Sequence, residues 1–465
     1  MEDKGSAWSQ IYTAICINLL TFSYGTSVGW LSTVVEDLKN DATTPLQNGA
    51  LSMSEIAIIG GTSCIGGFIS SCIYGWLADR YGRKLTLISL GVPQVIGWLL
   101  VYFAKNSYYL IISRFLHGFA GGGTYIVVPL FVTEISQNHI RGRLGSILIL
   151  FCNFGILAVY ILGAFVNYHI TSICLLMVTN VFFAGIVVIH DSPIYLLKKS
   201  KFKQAEQALK FYRGYGNNQK PMNDKVKDEY DSMITLIKIA NCDSNDGKIT
   251  RKDFLTKAAI KSIFIGMALM IFELFTGAYA LLSYASMIFE EAGSTLSPNI
   301  SAIIIGLIQV VGVYFSTFLV DRAGRRFLMI TSGICCTLGL AIFSIYDFAK
   351  VNDMNVTDFK WIPLFSFSFV IFSANFGLIS IPFLILTEIA PIKIKSIVYT
   401  FNLSFSWIVA FMTVMYLPTS IIALGVYGTM SIFALSCLTA AIFVYLFVPE
   451  TKNKSIEEIQ KIMSS

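Results

Sequence analysis

Apolar runs of about 20 residues recur along the chain, and each is long enough to cross the roughly 30 Å hydrocarbon core of a membrane. We identify twelve of them, near residues 11–31, 55–78, 85–104, 108–133, 144–165, 170–190, 259–283, 299–320, 327–347, 361–387, 397–417 and 424–448. Charged residues make up only 13% of the chain and apolar ones 55%. Since soluble domains carry roughly 25% charged residues, the sequence predicts an all-α membrane protein.

Lys and Arg residues fall mainly on one side of these predicted spans. With both termini placed in the cytosol, Arg114 is the one basic residue inside a predicted span. Only four basic residues then lie in outer loops: Lys39, Lys105, Lys350 and Lys360. Cytosolic loops of membrane proteins carry an excess of Lys and Arg, so the distribution predicts cytosolic termini. The first apolar run is followed by eleven more, which indicates an anchor rather than a cleaved signal peptide.

One long polar stretch divides the predicted spans six and six. It predicts an N-terminal six-helix bundle at 1–190, a cytosolic linker at 191–258, a C-terminal six-helix bundle at 259–448 and a cytosolic tail at 449–465. Within the linker, residues 194–212 alternate basic and apolar positions at helical spacing. We expect short amphipathic helices that lie against the cytosolic face.

Two motifs occur once in each half of the chain. DRYGRK (79–84) follows the second span and DRAGRR (321–326) follows the eighth, whereas PLFVTEISQNHIRG (129–142) and PFLILTEIAPIKIKS (382–396) end the fourth and tenth. Glycine permits the tight turn, and acids and bases at neighbouring helix ends form ion pairs that a moving helix can break and remake. The alternative interpretation is a set of basic turns that only fixes topology.

These motifs resemble those of the sugar porters of the major facilitator superfamily, and the resemblance covers nearly the whole chain. It also rests on Arg114 with Gly118, on DSPIYL (191–196) and on PETKNKSIEEI (449–459). GTSVGW (25–30) and NFGIL (153–157) are similar to the arthropod branch related to facilitative trehalose and hexose transporters.

The resemblance implies alternating access, in which two six-helix bundles rock around a sugar site near the bilayer midplane. It also implies a cytosolic gate formed by Asp79, Arg83, Glu134, Arg141, Asp321, Arg325, Glu388 and Lys395. Breaking these contacts would favour the inward-open state.

A sugar site needs amides and hydroxyls that replace water, and aromatic faces for the C–H patches of the ring. Polar groups inside spans are costly and tend to be functional. The candidates are Thr276, Asn375, Tyr279, Tyr284 and Phe383, together with Gln309 and Asn402, which match the family's amide positions in spans eight and eleven. A lone polar residue in a span can equally bind a neighbouring helix. Other family amides are missing, since Ile149 and Leu274 stand at two such positions.

Glu273 lies roughly midway along the seventh span. Such an acid can carry a proton, attract a cationic solute, or form a hydrogen bond with a neighbouring helix. The resemblance puts Gly25 where proton-coupled relatives have Asp, so it does not imply proton coupling by that route. Glu273 is also among the candidate substrate-binding residues.

The sequence as a whole predicts a facilitative transporter of a small neutral solute, a hexose or trehalose, in the plasma membrane. The alternatives are a carrier with an altered substrate or with proton linkage through Glu273, and a non-transporting sugar sensor. We expect no enzyme activity, because His117, His139, His169 and His190 are scattered. We expect no nucleic-acid partner, cofactor or metal. Asn355 begins a glycosylation sequon in an outer loop.

Overall fold

The computed structural model describes residues 8–215, 224–242, 251–283, 298–354, 357–359, 361–391, 394–452, 454 and 456–464. These ranges are almost entirely helical and contain no β-strand. Ten of the helices are long and apolar enough to cross a membrane. The prediction of an all-α membrane fold is therefore confirmed.

Six long helices form the N half of the molecule. They are α1 (Trp8–Lys39), α2 (Met53–Tyr81), α3 (Arg83–Tyr102), α4 (Ser107–Ile135), α5 (Asn138–Phe165) and α6 (Tyr168–Ile186). Each contains one of the first six predicted spans or nearly all of it, and most extend it by several residues. At the start of α2, the side chain of Ser52 accepts a hydrogen bond from the backbone N–H of Glu55, whose carboxylate accepts one from the Ser52 backbone. This capping box satisfies backbone groups that the first helical turn leaves unpaired.

Short helices form the linker between the halves. They are α7 (Pro193–Lys198), α8 (Phe202–Tyr212), α9 (Asp224–Cys242) and α10 (Arg251–Phe254). In α8 the apolar side Ala205, Leu209 and Tyr212 is buried and the basic residues lie outside it. Gln10 ties this linker to α1, because its amide donates to the backbone carbonyl of Tyr212 at 2.9 Å.

The C half contains the remaining helices. They are α11 (Lys257–Leu274), α12 (Ala278–Ser283), α13 (Pro298–Ala323), α14 (Arg325–Val351), α15 (Ile362–Phe376), α16 (Ile381–Ile389) and α17 (Lys395–Phe447), followed by α18 (Ile456–Ser464). A 3₁₀ turn at Thr357–Phe359 precedes α15.

Two predicted spans need correction. The seventh span is interrupted between α11 and α12, where Gly277 has φ +77°, and the tenth is interrupted between α15 and α16. The predicted separation of spans eleven and twelve is confirmed, because the backbone of α17 leaves the helical conformation at Gly425, which has φ 72°, and two helices meet there. Positive φ is open to glycine at little cost, so at Gly277 a single residue makes a bend that the sequence pattern does not separate from a helix.

Helices of the N half pack directly against helices of the C half, and α2 against α17 is one such contact. Along that contact Gly61 faces Phe411, Gly67 faces Trp407 and Gly75 faces Thr400. The residue numbers rise on α2 as they fall on α17, so the two helices run antiparallel. The end of α2 at Tyr81 therefore lies at the same face as the start of α17 at Lys395.

Glu388 lies near the end of α16, just before that start, and its carboxylate contacts Arg325, which follows the second repeated turn. The repeated turns at Gly82 and Gly324 consequently lie at one face of the molecule, as the sequence predicts. We refer to this face below as the turn face.

Candidate functional site

A cavity of about 120 Å³ lies between the N half and the C half. We call it the central cavity. Its N-half lining consists of Tyr24, Val28, Tyr125, Ile149, Cys152, Asn153 and Ile156. Its C-half lining consists of Glu273, Leu274, Tyr279, Leu282, Gln309, Ile379, Phe383, Leu403, Ser406, Trp407 and Ala410. Its volume is several times the roughly 10–15 Å³ that a single water needs on the same measure.

Four of the candidate binding residues line this cavity: Glu273, Tyr279, Gln309 and Phe383. They come from α11, α12, α13 and α16, so the two interrupted spans both contribute to the wall. The break at Gly277 places Tyr279 on a short helix beside α1, where its hydroxyl lies 3.3 Å from that of Tyr24. This hydrogen bond joins the two halves.

Three other candidates lie outside the lining and contact neighbouring backbone: Thr276, Asn402 and Asn375, the last of which is described below. The Thr276 hydroxyl donates to the Glu273 carbonyl at 2.6 Å and accepts from the Ala278 N–H at 3.3 Å, so it stabilises the break between α11 and α12. The Asn402 amide donates to the Val398 carbonyl at 2.9 Å.

Asn402 also packs closely against α11. A Cβ placed on Gly266 would lie 2.7 Å from its Nδ2 atom, so the side chain occupies space that only glycine leaves free. Its hydrogen bond to Val398 stays within α17, and its contact with α11 is a close packing contact. Tyr284 and Asn355 lie outside the described residues.

An amide chain crosses the interface between the halves. Gln309 Nε2 donates to Asn153 Oδ1 at 2.9 Å. Asn153 Nδ2 donates to Asn375 Oδ1 at 3.4 Å, and Asn375 Nδ2 donates to the Ile371 carbonyl at 2.9 Å. Asn375 is therefore not part of the lining but orients the two amides that are.

Aromatic rings form much of the remaining wall. The Tyr24 ring meets Tyr125 edge-on at a centroid distance of 5.9 Å and Trp407 at 6.1 Å. Tyr125 in turn lies 6.3 Å from Phe383. Sequence reasoning missed Asn153, Tyr24, Tyr125 and Trp407 as site residues. Polar or amphipathic side chains inside predicted spans were the available signal, but they do not indicate which helix faces point inwards.

The turn face carries an ion cluster in the N half. Arg83 Nη2 lies 2.7 Å from Glu134 Oε1 and 3.0 Å from Asp79 Oδ1, and Arg83 Nη1 donates to the Ala78 carbonyl at 2.9 Å. Arg83 and Glu134 are almost completely buried, with side-chain exposures of 1% and 9%. These contacts, which we call the N-half ion cluster, join α2, α3 and α4.

The C half has the corresponding pair, the C-half ion cluster. Arg325 Nη2 lies 3.4 Å from Glu388 Oε1, and the side chains are 13% and 23% exposed. The side chains of Arg141, Asp321 and Lys395 lie outside the described part of the chain. In that part, each ion pair at the turn face joins residues of the same half.

Two further acids at the turn face were missed as site residues. Asp191 accepts hydrogen bonds from the backbone N–H of Arg83 at 3.0 Å and of Lys84 at 3.4 Å. Glu450 does the same for Arg325 and Arg326, both at 3.0 Å. Carboxylates stabilise a helix N-terminus because unpaired N–H groups and the helix dipole point at them. Their shared position after the last span of each half was the signal in the sequence.

The two capping acids differ in electrostatics. Burial raises the pKa of Asp191 above its ordinary value, although the N–H groups of Ser192, Arg83 and Lys84 oppose the shift. Burial also acts to raise the pKa of Glu450, but four backbone N–H donors, including those of Lys452 and Arg325, outweigh it and lower that pKa overall.

Comparison with known proteins yields one family and a consistent group of relatives. The family model described as "Sugar (and other) transporter" matches residues 11–463. The chain is 31% identical over 470 residues to "Sugar transporter ERD6-like 6" of Arabidopsis thaliana, which covers 99% of this chain and 91% of that protein. It is 28% identical over 459 residues to "Facilitated trehalose transporter Tret1" of Bombyx mori, covering 98% and 87%.

Solved structures of the xylose transporter XylE from E. coli have the same fold. A partially occluded inward-open form has a TM-score of 0.76 at 19% identity, covering 96% of this chain and 99% of that one. The proton:xylose symporter XylE bound to 6-bromo-6-deoxy-D-glucose has a TM-score of 0.76 at 20% identity, covering 99% and 100%. At these identities the likeness shows the fold alone, and it confirms the major facilitator fold.

Proposed function

The chain belongs to the sugar (and other) transporter family, and from that premise we propose that it carries a hexose or trehalose across the plasma membrane by facilitated alternating access. It is a membrane transporter rather than an enzyme. The main support for a sugar as the solute is the composition of the central cavity, which combines the amides of Asn153 and Gln309 with five aromatic rings. Amides replace water at sugar hydroxyls, and aromatic faces pack against the C–H patches of a sugar ring.

Alternating access requires the two halves to separate first on one side of the cavity and then on the other. The contacts that must exchange are those between halves. They include the hydroxyl pair of Tyr24 and Tyr279, the hydrogen bond from Tyr160 to the Leu282 carbonyl at 2.7 Å and the amide pair of Gln309 and Asn153. Uncharged hydrogen bonds suit this task because each is worth only about 0.5–1.5 kcal/mol net.

Uptake into proteoliposomes tests the function. The purified full chain should equilibrate radiolabelled glucose or trehalose across the membrane without a pH gradient, and unlabelled sugar on the far side should accelerate exchange. Gln309→Ala should weaken the apparent affinity about tenfold, because it removes a buried amide that faces the solute. Gly145→Ala serves as a control, because among the described residues no atom apart from its chain neighbours and the nearby backbone of its own helix lies within 4 Å of the added methyl group. Absence of uptake and exchange of both sugars in folded protein would reject the proposal.

We also propose that the eight predicted gate residues close the cytosolic side. The supporting observation is that Arg83, Glu134, Arg325 and Glu388 are held in matched positions at the turn face. A cysteine introduced at Gly75, where an added Cβ would lie 3.8 Å from Thr400 Oγ1, reports access to this side in a background with Cys72→Ser and Cys242→Ser. Glu134→Gln combined with Glu388→Gln should speed its labelling by an impermeant maleimide applied from the turn face. Equal labelling rates with and without the two glutamate substitutions would reject the gate.

Cytosolic termini are part of the same proposal. They place Asn355 outside the cell, where its sequon accepts a glycan. Asn355→Gln should remove a glycosidase-sensitive shift in electrophoretic mobility in protein from insect cells. A glycan on Asn453, which lies in the predicted cytosolic tail, would reverse the orientation.

A further inference from the structure

The central cavity contains more unpaired acceptors than unpaired donors. Three lining side-chain atoms are buried without a hydrogen-bond partner in the described part of the chain: Glu273 Oε2, Gln309 Oε1 and Trp407 Nε1. The first two accept hydrogen bonds and the third donates one. Because buried polar groups are normally paired, these atoms indicate which hydrogen-bonding groups a solute bound in the cavity would offer.

The backbone fixes the direction of the amide chain, and so the identity of the free Gln309 atom. The Ile371 carbonyl only accepts, so Asn375 must turn its Nδ2 towards it and its Oδ1 towards Asn153. Asn153 must then donate to Asn375, which leaves its Oδ1 to accept from Gln309. Reversing any amide would bring two acceptors together. Gln309 therefore presents its oxygen to the cavity.

Glu273 has no basic partner among the described residues. Tyr125 of α4 and Tyr399 of α17 are the titratable groups that interact with its carboxyl electrostatically. Arg114 is buried in the N half, but it donates to the Ser27 carbonyl and interacts with Cys64 and Tyr279 instead. An uncompensated carboxylate at the middle of a membrane is costly, and a positively charged solute would compensate it.

The aromatic rings of the cavity favour the same kind of solute. Tyr24, Tyr125 and Trp407 meet edge-on or at steep angles, and Phe383 continues the group. A ring face attracts a cation electrostatically, and groups of such rings recognise ammonium groups. The aliphatic side chains of the lining, such as Ile149 and Leu274, cannot form hydrogen bonds with the hydroxyls of a solute.

We propose that the central cavity selects a polyhydroxylated solute that carries an ammonium group, an amino sugar, with the ammonium bound to Glu273. An ammonium is a pure donor and forms a charge-assisted hydrogen bond with a carboxylate. A ring hydroxyl donates to Gln309 Oε1, and another oxygen of the solute accepts from Trp407 Nε1. This inference rests on the proposed function, because it narrows the class of sugar that the same cavity carries.

Competition between two sugars tests the proposal in proteoliposomes of the full chain. The measurement is made at about pH 6.5, below the pKa of roughly 7.7–8.0 of an ordinary α-amino group, so that the amine is charged. Unlabelled glucosamine should then inhibit uptake of the radiolabelled sugar about tenfold more strongly than unlabelled glucose does. Glu273→Gln should remove this preference and bring the ratio of the two inhibition constants close to one. Gln309→Ala, a matched change in the same cavity, should weaken both sugars and preserve the ratio.

Several results would overturn the proposal. One is a glucosamine-to-glucose ratio near one in the wild type, and another is a ratio that Glu273→Gln leaves unchanged. A third is glucose accumulation driven by a proton gradient and lost in Glu273→Gln, because the carboxyl would then carry a proton instead of binding the solute.

A binding measurement separates this inference from the proposed function. Glucosamine should raise the melting temperature of the detergent-solubilised wild type more than glucose does, and Glu273→Gln should lose the difference. If neither sugar is transported but this Glu273-dependent stabilisation is present, the transport proposal fails and the site assignment stands. If the stabilisation is absent too, the site assignment is also rejected.

Discussion

The N-half and C-half ion clusters arise from nearly the same sequence motif but differ in burial. Arg83 and Glu134 approach to 2.7 Å with 1% and 9% of their side chains exposed, whereas Arg325 and Glu388 lie 3.4 Å apart with 13% and 23% exposed. Water screens the second pair more than the first. The comparison teaches that a repeated motif preserves the partners of an ion pair without preserving its energy.

The largest predicted effect follows from removing one charge of each cluster. Arg83→Gln should lower the free energy of unfolding by about 3–5 kcal/mol, because it leaves Glu134 buried without its partner. Arg325→Gln should cost on the order of 1 kcal/mol, since that pair is partly solvated. Melting temperatures in detergent compare the two variants.

The double variant Arg83→Gln with Glu134→Gln provides the control. It should lose clearly less than the sum of the two single changes, because residues in one ion pair are energetically coupled. Equal losses for Arg83→Gln and Arg325→Gln would show that burial does not distinguish the clusters.

The two turn glycines give the next largest contrast. Gly82 and Gly324 both have φ +96°, with ψ 163° and 153°, a backbone region that is essentially restricted to glycine and costs another residue about 1–3 kcal/mol. At Gly82 a Cβ would also collide with the Asp191 carboxylate and lie 2.8 Å from the Tyr195 ring, whereas at Gly324 the nearest atom is Glu450 Oε2 at 2.8 Å. Gly82→Ala should therefore lower the melting temperature more than Gly324→Ala.

Gly145→Ala is the matched control for the two glycine variants. Gly145 lies in α5, and an added Cβ there would meet no described atom within 4 Å apart from its chain neighbours and the nearby backbone of its own helix. Alanine at this position should therefore stabilise the protein slightly, by about 0.5–1 kcal/mol. If Gly145→Ala were as damaging as Gly82→Ala, the turn geometry would not be the cause.

The capping acids should give opposite pH dependences. Asp191 has a raised pKa, so its stabilising contribution is complete below its ordinary value of 3.8 and declines as the pH rises through the raised pKa. Glu450 has a lowered pKa, so its contribution is complete above its ordinary value of 4.5 and is lost as the pH falls through the lowered pKa.

Melting curves between about pH 3 and pH 7 measure these contributions. The difference between wild type and Asp191→Asn should shrink with rising pH, and the difference between wild type and Glu450→Gln should grow. Slopes of the same sign for the two variants would contradict the electrostatic difference between the halves.

Asp79 should give the smallest effect. Its carboxylate lies 3.0 Å from Arg83, but its side chain is 65% exposed. Exposed ion pairs contribute about 0–1 kcal/mol, so Asp79→Asn should change the melting temperature far less than Glu134→Gln. A comparable loss would mean that the short distance, and not burial, governs the N-half ion cluster.

Sequence reasoning predicted the turn face better than the cavity. The repeated motifs identified Arg83, Glu134, Arg325 and Glu388, which the structure brings into contact within each half. A tight glycine turn fixes the positions of the charged residues beside it at the helix end. The motif alone therefore restricts which residues they can pair with.

The cavity residues were predicted less completely. Gln309 and Glu273 line the central cavity, but Asn402 and Thr276 contact neighbouring backbone, and Asn153 was not selected. A polar residue in a span satisfies the same sequence criterion whether it faces a solute or another helix.

The sequence by itself determined the all-α membrane fold and the repeated turns, because backbone desolvation in lipid admits little besides helices. The tertiary structure decided which face of each helix points towards the cavity and where Gly277 and Gly425 break the helices. Lipid is as apolar as the packed interior, so hydrophobic periodicity distinguishes the two faces of a membrane helix poorly. Only the packing of both halves showed that Glu273 and Gln309 share one space.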